Sequence, residues 1–133
     1  MQYLLDTSIC VFFLRGKHNL NRVFQNKGLS NCFISEITIA ELRYGAENSD
    51  NSQKSHLAVD DFVNGLTVIP ILGSIRQYAI EKVRLRKLGT PIHDEFDLLI
   101  GVTAVEHQLT LVTDNVNDFK RLERIQIENW IVR

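Results

Sequence analysis

Residues 1–14, Met1-Gln2-Tyr3-Leu4-Leu5-Asp6-Thr7-Ser8-Ile9-Cys10-Val11-Phe12-Phe13-Leu14, change periodicity at a single acidic residue. The first five form a compact apolar strand that stops at Asp6. Thr7 or Ser8 then caps a helix through Ile9 and Leu14, which Arg15-Gly16 ends. A strand that hands directly to a helix is the start of a βαβ unit, and the rest of the chain repeats the alternation. A polar helix over residues 19–27 precedes a strand at 31–35 and a helix through Ile39, Leu42 and Tyr44. Residues 47–56, rich in Ser and Asn, read as an exposed loop, and residues 57–65 as a helix. A short strand at 66–69 ends at Pro70, and a long amphipathic helix over 74–88 stops at Gly89-Thr90-Pro91. A helix over 94–107, a strand at 109–113 and a short strand at 125–127 complete the pattern. Strands alternating with helices of about 10–15 residues predict an α/β fold with a mainly parallel sheet covered on both faces. With 133 residues and no internal repeat, residues 1–133 are expected to form one domain.

Composition narrows the function classes. The 15 Lys+Arg and 16 Asp+Glu leave a net charge of −1, so bulk charge does not hold a nucleic acid here; a local patch or a bound metal must. A hydrophobic fraction of 44% is too high for a disordered chain. No apolar stretch reaches the roughly 20 residues of a membrane span, and Asp6 breaks the only early apolar run, so the expected location is cytoplasmic. Cys10 and Cys32 are read as packing residues in a reducing compartment. The chain has no Gly-rich phosphate loop and no GxSxG elbow, and Ser8 stands where a dehalogenase-type phosphatase needs a second Asp. His18, His56, His93 and His107 lack metal-site spacing and are assigned to the surface.

The acidic residues carry more information. Parallel sheets collect function beyond the carboxyl ends of their strands. Asp6 and Asp114 each follow a strand, and Glu41 lies early in the helix after the second strand, so chain direction puts all three at one rim. Asp97 joins them only if its helix packs with its amino end toward that rim. Each acid also has a local reading. Asp6 suits a turn that bonds the following amides, and Glu41 stands three residues after Thr38, a capping-box spacing. Asp94 and Glu95 suit solvated helix-start acids, and Asp114 and Asp118 suit a loop. Asp97 shares a stripe with Gly101 and Ala104, which turns it away from bulk water. Convergent carboxylates without matching cations repel one another, and a hard divalent cation such as Mg²⁺ or Mn²⁺ relieves that conflict. Such an ion suits phosphodiester chemistry.

Leu4-Leu5-Asp6-Thr7-Ser8, Ile37-Thr38-Ile39-Ala40-Glu41-Leu42-Arg43-Tyr44-Gly45, Phe96-Asp97-Leu98-Leu99-Ile100-Gly101 and Leu111-Val112-Thr113-Asp114-Asn115 closely resemble PIN-domain ribonucleases, and within them VapC-type toxins of toxin–antitoxin pairs. The likeness runs in order from residue 2 to Glu128-Asn129-Trp130 and includes the Gly-Thr-Pro-Ile lead-in at 89–92. It implies a Mg²⁺-dependent endoribonuclease, with Mn²⁺ a substitute, acting on RNA and restrained by a VapB-type antitoxin. Asp6, Glu41 and Asp97 match the acidic positions that such nucleases use for Mg²⁺. Asp114, Asn115 and Asp118 compete for the fourth position, so Asp114 and Asp118 stand as catalytic candidates beside the first three. Thr7-Ser8 replaces the more usual Thr-Asn, leaving a hydroxyl to bond a neighbouring carboxylate. Arg76, Lys82, Arg84, Arg86 and Lys87, with Arg43, form either a phosphate-steering surface or a solvated face. The likeness also implies a homodimer, for which Phe12, Phe13 and Leu14 either offer apolar surface or simply pack on the sheet. A catalytically silent PIN-like RNA-binding or regulatory module and a DNA-directed metal nuclease are the alternative functions.

Overall fold

The computed structural model describes all residues 1–133. In chain order it contains β1 (Tyr3–Leu5), α1 (Thr7–Leu14), α2 (Leu20–Lys27), β2 (Cys32–Ser35), α3 (Glu36–Glu47) and α4 (Ser52–Asn64). There follow β3 (Thr67–Ile69), α5 (Ile75–Leu88), α6 (Glu95–Glu106), β4 (Thr110–Val112), α7 (Val116–Phe119) and β5 (Ile127–Glu128). The five strands make one sheet in the order β3-β2-β1-β4-β5, and every pairing is parallel. The expected α/β fold is therefore observed, with a wholly parallel sheet.

Alternation along the strands sends side chains to both faces. Tyr3, Leu5, Cys32, Ile34 and Val112 point into a core shared with α1 to α4. Leu4, Phe33 and Leu111 point into a second core shared with α5, α6 and α7. Helix α6 is apolar on nearly every side, and Leu98, Ile100, Val102 and Ala104 are all buried in that second core. No helix is long and apolar enough to cross a membrane.

Three local expectations change. Helix α4 begins at Ser52 and not near residue 57, because Asn51 caps it by accepting from the Lys54 amide; the loop shrinks to residues 48–51. The helix after β1 is capped by Asp6, whose Oδ1 accepts from the Thr7 amide at 2.8 Å, and neither Thr7 nor Ser8 serves as the cap. Ser35 caps α3, so Glu41 lies in the middle of that helix and no capping box forms with Thr38. Phe12, Phe13 and Leu14 pack against the first core, where Phe13 stacks on Phe24 with centroids 4.6 Å apart. All three are only partly buried there, and Leu14 also lines an open cleft. Cys10 and Cys32 are both free and buried in that core.

A carboxylate centre at the strand ends

Asp6 occupies the end of the central strand, where the backbone leaves the sheet. Its amide still bonds Val112 O at 2.9 Å, so the residue is locked to the β4 edge, and its side chain is only 4% exposed. Thr113 Oγ1 donates to Asp6 Oδ2 at 2.8 Å and Ser8 Oγ at 3.3 Å. Thr113 was not anticipated as a site residue. The β1–β4 register, in which Leu5 faces Val112, is what carries its hydroxyl across to Asp6. On the neighbouring helix, Glu41 Oε1 accepts from Thr7 Oγ1 at 2.7 Å, and Thr38 Oγ1 lies 3.1 Å from the same hydroxyl oxygen.

Asp97 reaches this rim from α6. Asp94 caps that helix, accepting from the Phe96 and Asp97 amides at 3.0 and 3.1 Å, and so points the helix's first turn at the other acids. Gly101, one turn later, lets the segment after β4 dock closely: a Cβ there would fall 2.3 Å from Leu122 Cδ1 and 3.1 Å from Phe119 Cδ1. That docking brings up Asp118, whose Oδ2 accepts from Asn115 Nδ2 at 3.0 Å. Asn115 is itself tied in, its amide donating to Thr113 Oγ1 at 2.9 Å.

Electrostatics bind these groups into one unit. Burial first, then the charges of Asp6, Asp94, Glu41 and Asp118, push the Asp97 carboxyl up to about 7. Burial raises Asp6 and the Asp94 charge adds to it, against the lowering effect of its hydrogen bonds from Thr113, Thr7 and Ser8. Glu41 is raised by burial and by Asp94 and Asp6, with the Thr7 hydroxyl opposing. Neither Lys, Arg nor His forms an ion pair with Asp6, Glu41, Asp94 or Asp97.

The structure thus brings Asp6, Glu41, Asp97 and Asp118 together and adds Asp94, whose position in the sequence suits a solvated helix-start acid. It does not bring in Asp114. That carboxylate is gripped by Arg133, with Nη1 at 2.8 Å and Nη2 at 2.5 Å, and by Asn129 at 3.1 Å. The Arg133 hydrogen bonds hold its carboxyl down at about 2. Half of the basic residues are committed: Arg84 pairs with Glu81 and Lys82 with Glu95 on α5, and Arg43 of α3 with Asp60. Arg76, Arg86 and Lys87 on α5 remain exposed without ion pairs. Beside Glu41 a cleft of about 300 Å³ opens between α1, α3 and α4, lined by Val11, Leu14, Arg15, Ala46 and Val59 among others.

A profile described as the PIN domain matches residues 3–125. The chain belongs to the PIN-domain family. This PIN domain is 34% identical to ribonuclease VapC2 of Rickettsia felis, with 98% of each chain covered. It is also 34% identical, at 98% of each chain, to the tRNA(fMet)-specific endonuclease VapC of Salmonella typhimurium. Among solved structures it superposes on DNA-bound VapBC from Salmonella typhimurium with a TM-score of 0.89, at 32% identity and 98% coverage of both chains. The Rickettsia felis VapBC2 complex bound to a promoter DNA fragment matches with a TM-score of 0.84 at 30% identity, covering 98% of this chain and 99% of that one.

The donor set of this PIN domain is compatible with Mg²⁺. All candidates are hard carboxylate oxygens, and no Lys, Arg or His pairs with Asp6, Glu41, Asp94 or Asp97. No three of them, with or without His or Cys, close into a ready-made cage. Mg²⁺ does not demand one, since it keeps several waters and takes one or two carboxylates plus substrate phosphates.

Proposed function

We propose that this chain is a Mg²⁺-dependent endoribonuclease, the toxin of a toxin–antitoxin pair. The observation that carries the chemistry is the Asp97 carboxyl, raised to about 7 by burial first and then by Asp6, Asp94, Glu41 and Asp118, of which only Asp118, at the edge, has a cation partner. A folded protein that keeps such repulsion is built to receive a cation there. RNA as substrate and an antitoxin as partner come from the likeness to ribonucleases and endonucleases named VapC and to solved VapBC complexes.

Asp6, Glu41 and Asp97 would hold Mg²⁺, with Asp118 nearby. A divalent ion bound there supplies Lewis acidity and a water activated for attack on a phosphodiester. The chain's own hydroxyls do the rest of the positioning. Thr113 and Ser8 fix one oxygen of Asp6, Thr7 fixes Glu41, and Asn115 fixes Asp118. Each therefore presents a defined lone pair, which is what a carboxylate ligand needs. The apolar cleft beside Glu41 gives the antitoxin a surface from which it blocks access to the acids.

A homodimer belongs to the same reading, with further apolar surface on α5. Ile75, Ile80 and Val83 of α5 are 47%, 50% and 43% exposed, far more than a monomer's buried helix needs. The deciding experiment compares wild type and Asp97→Asn on RNA and on single-stranded DNA, with Mg²⁺, Mn²⁺ and neither. Metal-dependent RNA cleavage that Asp97→Asn abolishes supports the proposal. Binding of RNA with no cleavage by either protein under any condition overturns it in favour of a silent RNA-binding module, and cleavage confined to DNA overturns the substrate assignment.

A further inference from the structure

Two of the five acids, Asp94 and Asp97, sit at the start of α6, while Asp118 sits on α7; the core docks the two helices through Phe119 and Leu122 against Gly101, one turn away from the acids. At the acids themselves a surface side chain spans the two segments. Arg121 Nη1 donates to Pro91 O at 2.8 Å, holding the segment that leads into α6, and its Nη2 lies 3.6 Å from Asp118 Oδ1. The main chain of Arg121 is itself anchored from a third direction. Arg84 Nη2 donates to Arg121 O at 2.9 Å, and Arg84 is held by Glu81 through bonds of 2.6 and 2.9 Å. Glu81 is 3% exposed, and its Oε2 also accepts from the Glu123 amide at 3.2 Å. A buried carboxylate that no catalytic role explains is thus spent on fixing the turn at residues 121–123. The consequence is that the Arg121 fork starts from a rigid base and reaches both acid-bearing segments.

We propose that Arg121 is a positioning residue for the acidic centre, setting the separation between Asp118 and the Asp94–Asp97 turn. The proposal rests on the reading of that centre as a metal-dependent nuclease site. A planar guanidinium is suited to the task because its donors diverge at fixed angles, so one nitrogen hydrogen-bonds the Pro91 carbonyl while the other faces the Asp118 carboxylate as an ion pair. A lysine in the same place offers one point charge and cannot reach both.

The sign of the metal response separates this role from plain electrostatics. A cation beside a cation site weakens metal binding, so if Arg121 acts only through its charge, removing it tightens Mn²⁺ binding. If Arg121 holds the ligands in place, removing it weakens Mn²⁺ binding by roughly tenfold, the usual scale for losing a group that orients a ligand. Arg121→Met, Arg121→Lys and, as a control, Lys120→Met are titrated with Mn²⁺ by electron paramagnetic resonance and assayed on a fixed RNA oligonucleotide. Arg121→Met is expected to bind Mn²⁺ about tenfold more weakly and to lose kcat by a similar factor, with KM within about twofold and Tm within ~2 °C of wild type. Arg121→Lys is expected to recover less than half of that loss on a logarithmic scale, and Lys120→Met to behave as wild type. Tighter Mn²⁺ binding, full rescue by Lys, or a raised KM at unchanged kcat would overturn the positioning role; the last would make Arg121 a phosphate contact. Amide hydrogen exchange on the metal-free proteins decides the matter without activity. Faster exchange over residues 91–97 in Arg121→Met, with the sheet unchanged, is expected, and identical exchange there overturns the proposal. If wild type cleaves no RNA, the nuclease reading fails, while the exchange result still judges Arg121.

Discussion

At the scale of single residues, the centre is governed by carboxylates that would each be more stable without the others. The metal-free folded chain holds the Asp97 proton up to about pH 7, whereas an unfolded chain releases it near pH ~4. The folded state therefore binds more protons across that window, and metal-free stability is expected to fall as pH rises through it. Urea unfolding at pH 5 and pH 8 tests this: Asp97→Asn should flatten the decline, and Mg²⁺ should restore stability at pH 8 by binding the folded state alone. The same substitution keeps the side chain's shape. Losing about 3–4 kcal/mol of transition-state stabilisation would slow cleavage by a few hundred-fold, while RNA affinity measured without metal stays the same or rises slightly. Asp114 obeys the opposite sign. Its folded carboxyl titrates at about 2, below the unfolded value of ~4, so its contribution is complete above that value and is lost as pH falls toward 2. Asp114→Asn should leave Mg²⁺-dependent cleavage close to wild type, whereas Asp118→Asn should lower it by roughly tenfold or more. Equal losses from the two would mean that Arg133 releases Asp114 during turnover.

At the scale of elements, α6 is the part whose placement matters most. Its N-terminal turn carries Asp94 and Asp97, and its middle accepts Phe119 and Leu122 against Gly101. Gly101→Ala replaces a poor helix former with a good one, a gain of about 1 kcal/mol. It also places a methyl against a fully buried Phe119 ring and within 2.3 Å of Leu122, an overpacking that costs about 1–3 kcal/mol. The net expectation is a loss of about 1 kcal/mol in urea unfolding. Cleavage should suffer more than stability does, because the strain moves the segment that carries Asp118. Helix α5 ends where Gly89 takes a φ of 76° and Thr90 N bonds back to Leu85 O at 3.0 Å. That left-handed stop turns the chain sharply toward Pro91 and so toward the Arg121 contact.

At the scale of the whole molecule, the two sheet faces have different tasks. The α1–α4 face holds the aromatic core and the cleft beside Glu41. The α5–α7 face holds the segments that carry Asp94, Asp97 and Asp118, and it exposes the apolar residues of α5. Ile80→Asp or Val83→Glu is expected to convert a dimer into a folded monomer, read by light scattering at micromolar protein with circular dichroism as the check on folding. A monomeric wild type, or variants that stay dimeric, would remove α5 as the interface.

Much of this was legible from residue order alone, because strand-to-helix switches are local events. The change of period at Asp6, the apolar run at 98–104 and the Gly89-Thr90-Pro91 stop announce their elements through side-chain spacing and backbone preference, and the parallel sheet follows from their alternation. Asp6 at a strand end was readable for the same reason. Helix caps were less so: Asp6, Ser35 and Asn51 displaced the expected starts because each is judged by its φ, ψ and by which amide it reaches. The remainder belonged to the tertiary structure. Thr113 reaches Asp6 only through the β1–β4 register, and Asp94 enters the site only because α6 packs with its amino end at the rim. Asp114 leaves the site because Arg133 lies beside it, 19 positions further along the chain. Linear spacing states where a carboxylate leaves the backbone, but its partners are set by long-range packing, and for these acids the partner determines the charge.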